Sequence, residues 1–214
     1  MDRDIIIIGA GRGGRFATDI CDAAGRNVTG FLDDINPPGT LISGRPVLGG
    51  TDRLEDIRAL GDHDFLISIG DIGWRRRFCC RIKRQGGNLA SVMHPNVYVS
   101  PYATLGDGYL IHPFTSIYAG AVLGELVMIE DHGSVGIDVV IEDNVVLAPG
   151  VTLTAQSGVG RDTFVGAGVT VTPESRIGHD CLIGAGATVT SSVPAGKVAF
   201  GVPARAVRDN TNAG

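Results

Sequence analysis

An apolar residue recurs at every sixth position through the second half of the chain, without interruption. The repeat comprises seventeen positions between Met93 and Val189. Neither the period of a helix nor that of a strand produces this spacing, whereas a parallel β-helix does, because each hexad forms a short strand and a corner. The repeated positions are Met93, Val99, Leu105, Ile111, Ile117, Leu123, Ile129, Val135, Ile141, Leu147, Leu153, Val159, Val165, Val171, Ile177, Ile183 and Val189.

The residues that flank each apolar position favour the same structure. The residue two places before it is mostly small or β-branched, as at Ala103 and Thr115, and the residue after it is often glycine. We expect these glycines to form corners that need positive φ. Three hexads make one triangular coil, so residues 18 apart should stack on successive coils. The seventeen hexads then give between five and six coils, with a height of about 27 Å at roughly 4.8 Å per coil.

Residues 1–88 follow a different pattern, in which short apolar runs alternate with helix-compatible segments. We predict strands at 5–8, 28–32 and 65–69, and helices at 15–24, 52–60 and 74–85, with Thr51 as the N-cap of the middle helix. Strands that alternate with helices predict a small parallel sheet with crossover helices. The sequence therefore predicts two domains, a small Rossmann-like α/β domain over 1–88 and a β-helix over 89–208.

Composition narrows the functional classes. The net charge is −5, from 18 basic and 23 acidic residues, which argues against a nucleic-acid-binding face. No apolar run reaches the roughly 18 residues that a membrane span needs. The four cysteines show no CxxC motif and no matched spacing, so we expect reduced thiols in a cytoplasmic protein.

A glycine-rich turn follows the first predicted strand. Gly9, Gly11 and Gly14 match G-x-G-x-x-G, and Asp33 and Asp34 come about 20 residues later. Unpaired amides at a helix N-terminus bind anions, so a nucleotide phosphate is one interpretation and an empty tight turn is the other. Because a two-half dinucleotide fold needs more residues than precede the repeat, a mononucleotide or nucleotide-sugar fits better than NAD.

These pieces together resemble the sialic acid O-acetyltransferase-like (NeuD/PglD-type) family of hexapeptide-repeat sugar acetyltransferases. The resemblance rests on the glycine-rich turn, the FLDD, PVLGG and SIGD segments, the hexad array and the closing GVPAR, in that order. It implies a left-handed β-helix, a homotrimer and acetyl-CoA as co-substrate, bound between neighbouring prisms. It also implies acetyl transfer to a nucleotide-linked (UDP, GDP or dTDP) amino sugar in surface-glycan biosynthesis, without a metal.

The resemblance implies two sets of binding residues. The nucleotide-sugar would contact Gly11, Arg12, Gly13, Asp33, Asp34 and Gly50. The pantetheine arm of CoA would meet backbone amides near Gly166, Ala167, Gly184 and Ala185. Ordinary β-helix corners are the alternative role of these Gly–Ala pairs.

The catalytic position departs from the family pattern. Transfer to an amine needs a base, which the family supplies as a histidine followed by an acid. In this chain the acid is present as Asp138, but the histidine is replaced by Ile137. A second family histidine falls on Val146, and a usual asparagine falls on Glu130. We therefore predict that Glu130 or His132, together with Asp138, performs the proton transfer.

Three other groups of residues have a functional and a structural interpretation. His94, His112 and Glu130 form one column 18 residues apart, which could hold a metal, although neighbours about 4.8 Å apart converge poorly on one ion. Exposed corner residues are the alternative for the two histidines, each of which is followed by proline. The pair His179-Asp180 copies the family's His-acid pair, but on a different face from Ile137. The basic segment 75–84 is either a solvated helix face or a source of a phosphate contact.

Three functions remain open from the sequence. The first is N-acetylation of an amino sugar with an unusual base. The second is O-acylation of a sugar hydroxyl, which depends more strongly on proton removal. The third is a catalytically lapsed homologue that binds nucleotide-sugar and CoA. A neutral amine is already a nucleophile, so the loss of the histidine is least damaging to N-acetylation, and we place that function first.

Overall fold

The structure is a computed structural model that describes residues 3–211. The chain forms two compact units that divide between Pro95 and Asn96. The first unit is an α/β domain, and the second consists of stacked parallel strands of the kind found in left-handed β-helices. Both parts of the fold predicted from the sequence are therefore confirmed. Within residues 3–211, no helix combines the length and the apolar character that a membrane span requires.

The first unit contains one mixed sheet with helices between its strands. Its strands are β1 Asp4–Ile8, β2 Val28–Leu32, β3 Leu41–Ile42, β4 Arg45–Gly49, β5 His63–Ile67 and β6 Asn88–Leu89, and its helices are α1 Arg12–Ala23, α2 Ile72–Arg84 and the 3₁₀ helix Thr51–Leu60. The strand order is β3-β4-β2-β1-β5-β6, parallel except for the β3–β4 pair. The four isoleucines of β1 are completely buried because the strand is central and parallel.

The helices differ from their predicted limits for local reasons. Helix α1 begins at Arg12, inside the glycine-rich turn, and α2 begins at Ile72 because the side chain of Asp71 caps it by accepting from the amide of Trp74 at 2.8 Å. The segment from Thr51 is a 3₁₀ helix with a kink at Asp56. Thr51 is the first residue of this helix and not its N-cap, and its hydroxyl donates to Asp34 at 2.8 Å.

Seventeen two-residue strands follow, and every one ends on a residue of the hexad repeat. They are β7 Val92–Met93, β8 Tyr98–Val99, β9 Thr104–Leu105, β10 Leu110–Ile111, β11 Ser116–Ile117, β12 Val122–Leu123, β13 Met128–Ile129, β14 Ser134–Val135, β15 Val140–Ile141, β16 Val146–Leu147, β17 Thr152–Leu153, β18 Gly158–Val159, β19 Phe164–Val165, β20 Thr170–Val171, β21 Arg176–Ile177, β22 Leu182–Ile183 and β23 Thr188–Val189. A hairpin of β24 Lys197–Phe200 and β25 Arg205–Asp209 ends the unit.

The register of the prism is the predicted one. The first face stacks β10, β13, β16, β19 and β22, the second β8, β11, β14, β17, β20 and β23, and the third β9, β12, β15, β18 and β21. Paired residues are 18 apart throughout, as in Ile111 with Ile129. Fourteen of the seventeen repeat residues are buried, and Met93, Val99 and Leu105, which open the array, are half-buried. The apolar column therefore fills the prism as predicted.

The glycines that follow the repeat residues have a different role from the predicted one. None of them has positive φ; that conformation lies two residues further on, for example at Gly168 (φ 67°) and at Asp138 (φ 56°). A side chain is excluded instead by the coil above. A Cβ on Gly166 would lie 2.6 Å from the amide nitrogen of Ala185, and one on Gly136 would lie 2.9 Å from the carbonyl of Leu153. Close stacking of coils therefore selects glycine at these positions.

Candidate active site

The carboxyl ends of the strands in the first unit border a cleft of about 230 Å³. Helix α1 starts directly beside it. Its N-cap residue is Gly11, which has no side chain to accept a hydrogen bond from the first amides of the helix. The first amides of the helix are thus available to an anion. The cleft is lined by Gly9, Leu32, Asp33, Asp34, Ile35, Thr51, Ile69, Trp74 and Phe78. Only Asp33 and Asp34 of these were among the predicted binding residues, whereas the apolar wall of Ile69, Trp74 and Phe78 was not predicted.

The predicted glycines of the turn divide into two kinds. A Cβ on Gly13 would overlap the carbonyl oxygen of Ser68, so Gly13 is required by the packing of α1 against the end of β5. Gly11 has a negative φ and nothing within 4 Å of a Cβ. A ligand can therefore approach the backbone at Gly11, and Arg12 beside it is exposed at the first position of the helix.

Asp33 is bound to the glycine-rich turn itself. Its Oδ2 accepts from the amide of Ala10 at 2.8 Å, and its Oδ1 accepts from the amides of Ile35 and Asn36 at 3.0 and 2.7 Å. Burial opposes ionisation of this carboxyl, but the hydrogen bonds outweigh it and lower its pKa. Asp33 is therefore an anion that connects two loops at the rim of the cleft.

Asp34 makes the equivalent connection to the loop after β4. Its Oδ1 accepts from the amide of Thr51 and its Oδ2 from the hydroxyl of Thr51, at 2.6 and 2.8 Å. A Cβ on Gly50 would lie 3.1 Å from Oδ1 of Asp34 and 2.6 Å from Asp52. The structure thus brings Asp33, Asp34 and Gly50 to one cleft, where the two carboxylates order the loops that form it.

Helix α2 supplies the aromatic wall of the cleft. Trp74 and Phe78 stack with ring centroids 5.6 Å apart, and the guanidinium of Arg77 lies 5.0 Å from the centre of the Trp74 ring. Trp74 is half exposed. An exposed aromatic face in a nucleotide-sized cleft suits stacking on a flat ligand. The signal that sequence reasoning missed is the chain's single tryptophan, three residues after the end of the SIGD segment.

The basic segment is mostly committed within the protein. Arg75 is completely buried and donates to the carbonyls of Ile67 and Ile69 at 3.3 and 3.2 Å, and burial lowers its pKa to about 10. Arg81 donates to Glu55 (2.9 Å). Arg75 therefore stabilises the turn that carries Ile69 and Trp74 and does not reach a phosphate.

The predicted catalytic residues lie on two successive corners of one coil. Glu130 and His132 belong to the corner between β13 and β14, called here the first corner, and Asp138 belongs to the corner between β14 and β15, called the second corner. His132 is exposed, has φ 60° and stacks on Phe114 with ring centroids 5.1 Å apart. Within one chain, a face of the prism thus separates Glu130 and His132 from Asp138.

Glu130 has the properties of a usable base. Its side chain is half-buried, and burial together with the charge of Asp131 raises its pKa. A carboxylate whose pKa is raised toward neutrality accepts a proton more readily at physiological pH. On the second corner, Ile137 is 53% exposed. Ile137 is thus outside the apolar core of the prism, and its side chain is accessible from solvent.

The Gly–Ala pairs lie on the first corner, three and four coils above His112. The side chains of Ala167 and Ala185 are exposed. Among residues 3–211, the structure gives the amides of Ala167 and Ala185 no hydrogen-bond acceptor. Because the two residues are 18 apart, their amides form a short ladder on one corner. Such a ladder suits the alternating amides of an extended arm.

The pair His179-Asp180 lies on the third corner, which follows the third face. Nδ1 of His179 is 2.7 Å from Oδ2 of Asp180. The prediction that this pair is on a different face from Ile137 is confirmed, because Ile177 belongs to β21 and Val135 to β14.

In the described part of the chain, no group of three or more His, Cys, Asp or Glu residues is arranged to hold a metal ion.

Comparisons with known proteins match both units of the chain. Residues 4–82 match the PglD N-terminal domain, and residues 157–191 match the bacterial transferase hexapeptide (six repeats). No curated protein matches the chain.

Several solved structures are similar over nearly the whole length, among them three from different organisms. Perosamine N-acetyltransferase from Caulobacter crescentus, a His→Asn mutant in complex with CoA and GDP-perosamine, is 30% identical, with a TM-score of 0.91 over 96% of this chain and 97% of that one. The acetyltransferase domain of PglB from Neisseria gonorrhoeae, in complex with acetyl coenzyme A, is 28% identical, with a TM-score of 0.90 over 97% of this chain and 100% of that one. WeeI from Acinetobacter baumannii is 26% identical, with a TM-score of 0.86 over 95% of this chain and 99% of that one.

Proposed function

Because the chain belongs to the PglD/NeuD-type family of hexapeptide-repeat sugar acetyltransferases, we propose that it transfers the acetyl group of acetyl-CoA to the amine of a nucleotide-linked amino sugar in surface-glycan biosynthesis. The observation that carries the proposal is the likeness, at 30% identity, to an N-acetyltransferase crystallised with CoA and GDP-perosamine. We assign nucleotide-sugar binding to residues 1–88 and acyl transfer to residues 89–208.

The nucleotide binds in the cleft of the first unit. The free amides at the start of α1, beside Gly11 and Arg12, take the diphosphate. Trp74 offers a face for the base. Asp33 and Asp34 act mainly on the loops that they connect, while Gly13 and Gly50 allow those loops to pack closely.

The thioester binds along the first corner. The amides of Ala167 and Ala185 donate to the carbonyls of the pantetheine arm, and Gly166 and Gly184 let successive coils stack tightly enough to align them. Gly168 and Gly186 follow, and nothing lies within 4 Å of the Cβ that either would carry. The corner therefore presents a smooth, open track to the cofactor.

The transfer needs one proton acceptor. The amine lone pair attacks the thioester carbon, the new C–N bond forms, the C–S bond breaks with its electron pair on the CoA thiolate, and the amine proton passes to a base. Glu130 is the best placed base, because its carboxylate is half-buried and has a raised pKa. His132 is its neighbour on the first corner, and Asp138 is the acid of the second corner.

The separation of the two corners favours a homotrimer with sites between its subunits. In a cyclic trimer, one interface joins different surfaces of neighbouring copies. The first corner of one prism can therefore meet the second corner of the next, which brings Glu130 and His132 to Asp138. The same cleft holds CoA between prisms. We place the protein in the cytoplasm, where acetyl-CoA and nucleotide-sugars are made.

Ile137 favours one alternative, a lapsed homologue that binds both ligands without transfer. Release of CoA from acetyl-CoA, followed with a thiol reagent in the presence of UDP-, GDP- and dTDP-linked amino sugars, distinguishes the two. A transferase releases CoA only when a sugar that bears an amine is present. Binding of both ligands by calorimetry, with no sugar-dependent CoA release across the panel, would establish the lapsed homologue.

A further inference from the structure

His112 is a buried, titratable side chain that the proposed reaction does not yet use. It is 5% exposed and follows Ile111 on the first corner, one coil before Glu130. Its Nδ1 lies 3.6 Å from Oδ2 of Asp131, which is an ion-pair distance when the imidazole is protonated. Asp131 is adjacent to Glu130 in the chain, so the His112–Asp131 pair lies directly beside the proposed base.

The register of the prism fixes His112 beneath Glu130. Ile111 pairs with Ile129, and the amide of His112 donates to the carbonyl of Ile129 at 2.8 Å. Residues in register on neighbouring parallel strands are about 4.8 Å apart and their side chains point in the same direction. The register therefore places His112 one coil below Glu130, and its ion pair with Asp131 joins that coil to the residue next to Glu130.

We propose that His112, through its ion pair with Asp131, is a positioning residue for the proton acceptor Glu130. The inference rests on the proposed function and assigns His112 no bond-making step. The pair connects two coils at the corner that carries Glu130, and its carboxylate is the neighbouring charge that acts on Glu130. Without the pair, the charge of Asp131 acts on Glu130 unopposed.

Few other charged groups face Glu130. His132 lies across the same corner and is exposed. In the proposed trimer, Asp138 of the neighbouring copy also approaches Glu130. On the next coil, the residues in register with Glu130 and Asp131 are Ala148 and Pro149, which do not titrate. Within one chain, Asp131 and His112 are therefore the titratable groups that the register and the ion pair place beside Glu130.

Asp131 and His112 should shift the pKa of Glu130 in opposite directions. Asp131 is a cause of the raised pKa of Glu130, since like charges disfavour ionisation. Removal of its charge should move the titration of Glu130 to lower pH. Removal of the imidazole leaves Asp131 uncompensated and should move the titration of Glu130 to higher pH. A merely structural role for His112 would not produce opposite shifts.

The test is an NMR titration of the side-chain carboxyl of Glu130 in the intact protein labelled with ¹³C-glutamate, with Glu130→Gln for assignment. We expect a shift to lower pH in Asp131→Asn and to higher pH in His112→Gln. His112→Phe keeps a planar ring in the buried site and serves if His112→Gln fails to fold. His179→Gln, which removes an imidazole from the third corner, should leave the titration unchanged.

Shifts in the same direction for Asp131→Asn and His112→Gln, or no shift in either, would overturn the inference. Because the titration is read without substrate, it decides the role of His112 even if no acetyl transfer is found. Where transfer is found, the acid limb of the pH profile of kcat/KM should follow the same two directions.

Discussion

At position 137 the second corner carries an exposed isoleucine, where the family pattern has the histidine that takes a proton from the substrate amine. The backbone at this corner matches that of the His179-Asp180 pair elsewhere in this chain, because Asp138 and Asp180 both have φ 56°. In that pair the imidazole Nδ1 contacts the carboxylate at 2.7 Å. A histidine at position 137 could therefore adopt the same contact with Asp138.

This similarity predicts the effect of Ile137→His. We expect kcat for transfer to rise, because a general base paired with an acid contributes about 10²–10⁴ in rate. The matched control is Ile137→Asn, which is polar but does not titrate near neutrality and should give no such rise. If Ile137→His leaves kcat within about threefold of the parent, an existing side chain already supplies the base function.

Asp33 is a second residue whose charge has a measurable consequence. Its folded pKa is lowered, so its stabilising effect is complete above the pKa of an unfolded aspartate, about 3.9, and disappears as the pH falls through the folded value. Asp33→Asn should cost about 1–3 kcal/mol at neutral pH, because three backbone amides lose a charged acceptor. Urea unfolding followed by Trp74 fluorescence should show the difference from the parent shrinking below about pH 4. A difference that is independent of pH would contradict this role.

At the scale of the elements, the turns are set by close approach of backbones. The glycine-rich turn packs Gly13 on the carbonyl of Ser68 and Gly14 on that of Gly9. In the prism, glycine after a repeat residue is selected by the next coil, and positive φ falls on other residues. Which neighbour excludes a side chain depends on tertiary packing. The sequence pattern therefore predicted glycine at the corners, but not that the next coil is what excludes a side chain there.

The two glycines of the first turn should therefore respond differently. Gly13→Ala places a Cβ on a backbone oxygen, and we expect it to destabilise the first unit by about 1–3 kcal/mol. Gly11→Leu extends into open space and should change the free energy of unfolding by less than about 1 kcal/mol. It should nevertheless weaken nucleotide-sugar binding, since it covers the amides of α1. Calorimetry that shows undiminished affinity in Gly11→Leu would favour an empty turn.

At the scale of the whole molecule, periodicity carried most of the information. The hexad count predicted every strand from β7 to β23, because an uninterrupted repeat leaves one register that buries Ile129, Val135 and their equivalents. The site was harder to predict. The contacts of Asp33 with Ala10, and the wall formed by Trp74, join segments far apart in sequence, and no local pattern encodes them.

The separation of Glu130 and Asp138 on two corners predicts complementation between subunits. Glu130→Gln and Asp138→Asn should each lower the rate, and the two variants, unfolded and refolded together, should recover activity. Each mixed trimer contains one intact site of three, and about three quarters of the trimers in a random 1:1 mixture are mixed. The mixture should therefore reach about a quarter of the parent rate. Light scattering should show a trimer throughout. A monomer, or mixed trimers no faster than the separate variants, would contradict a shared site.

The most direct test of the account is the product itself. Tandem mass spectrometry after incubation with deuterated acetyl-CoA and GDP- or UDP-linked amino sugars measures both transfer and its position. The account predicts one labelled acetyl group on the sugar nitrogen, formed much more slowly by Glu130→Gln than by the parent. Label on a sugar oxygen, or no label on any sugar while both ligands bind, would contradict it.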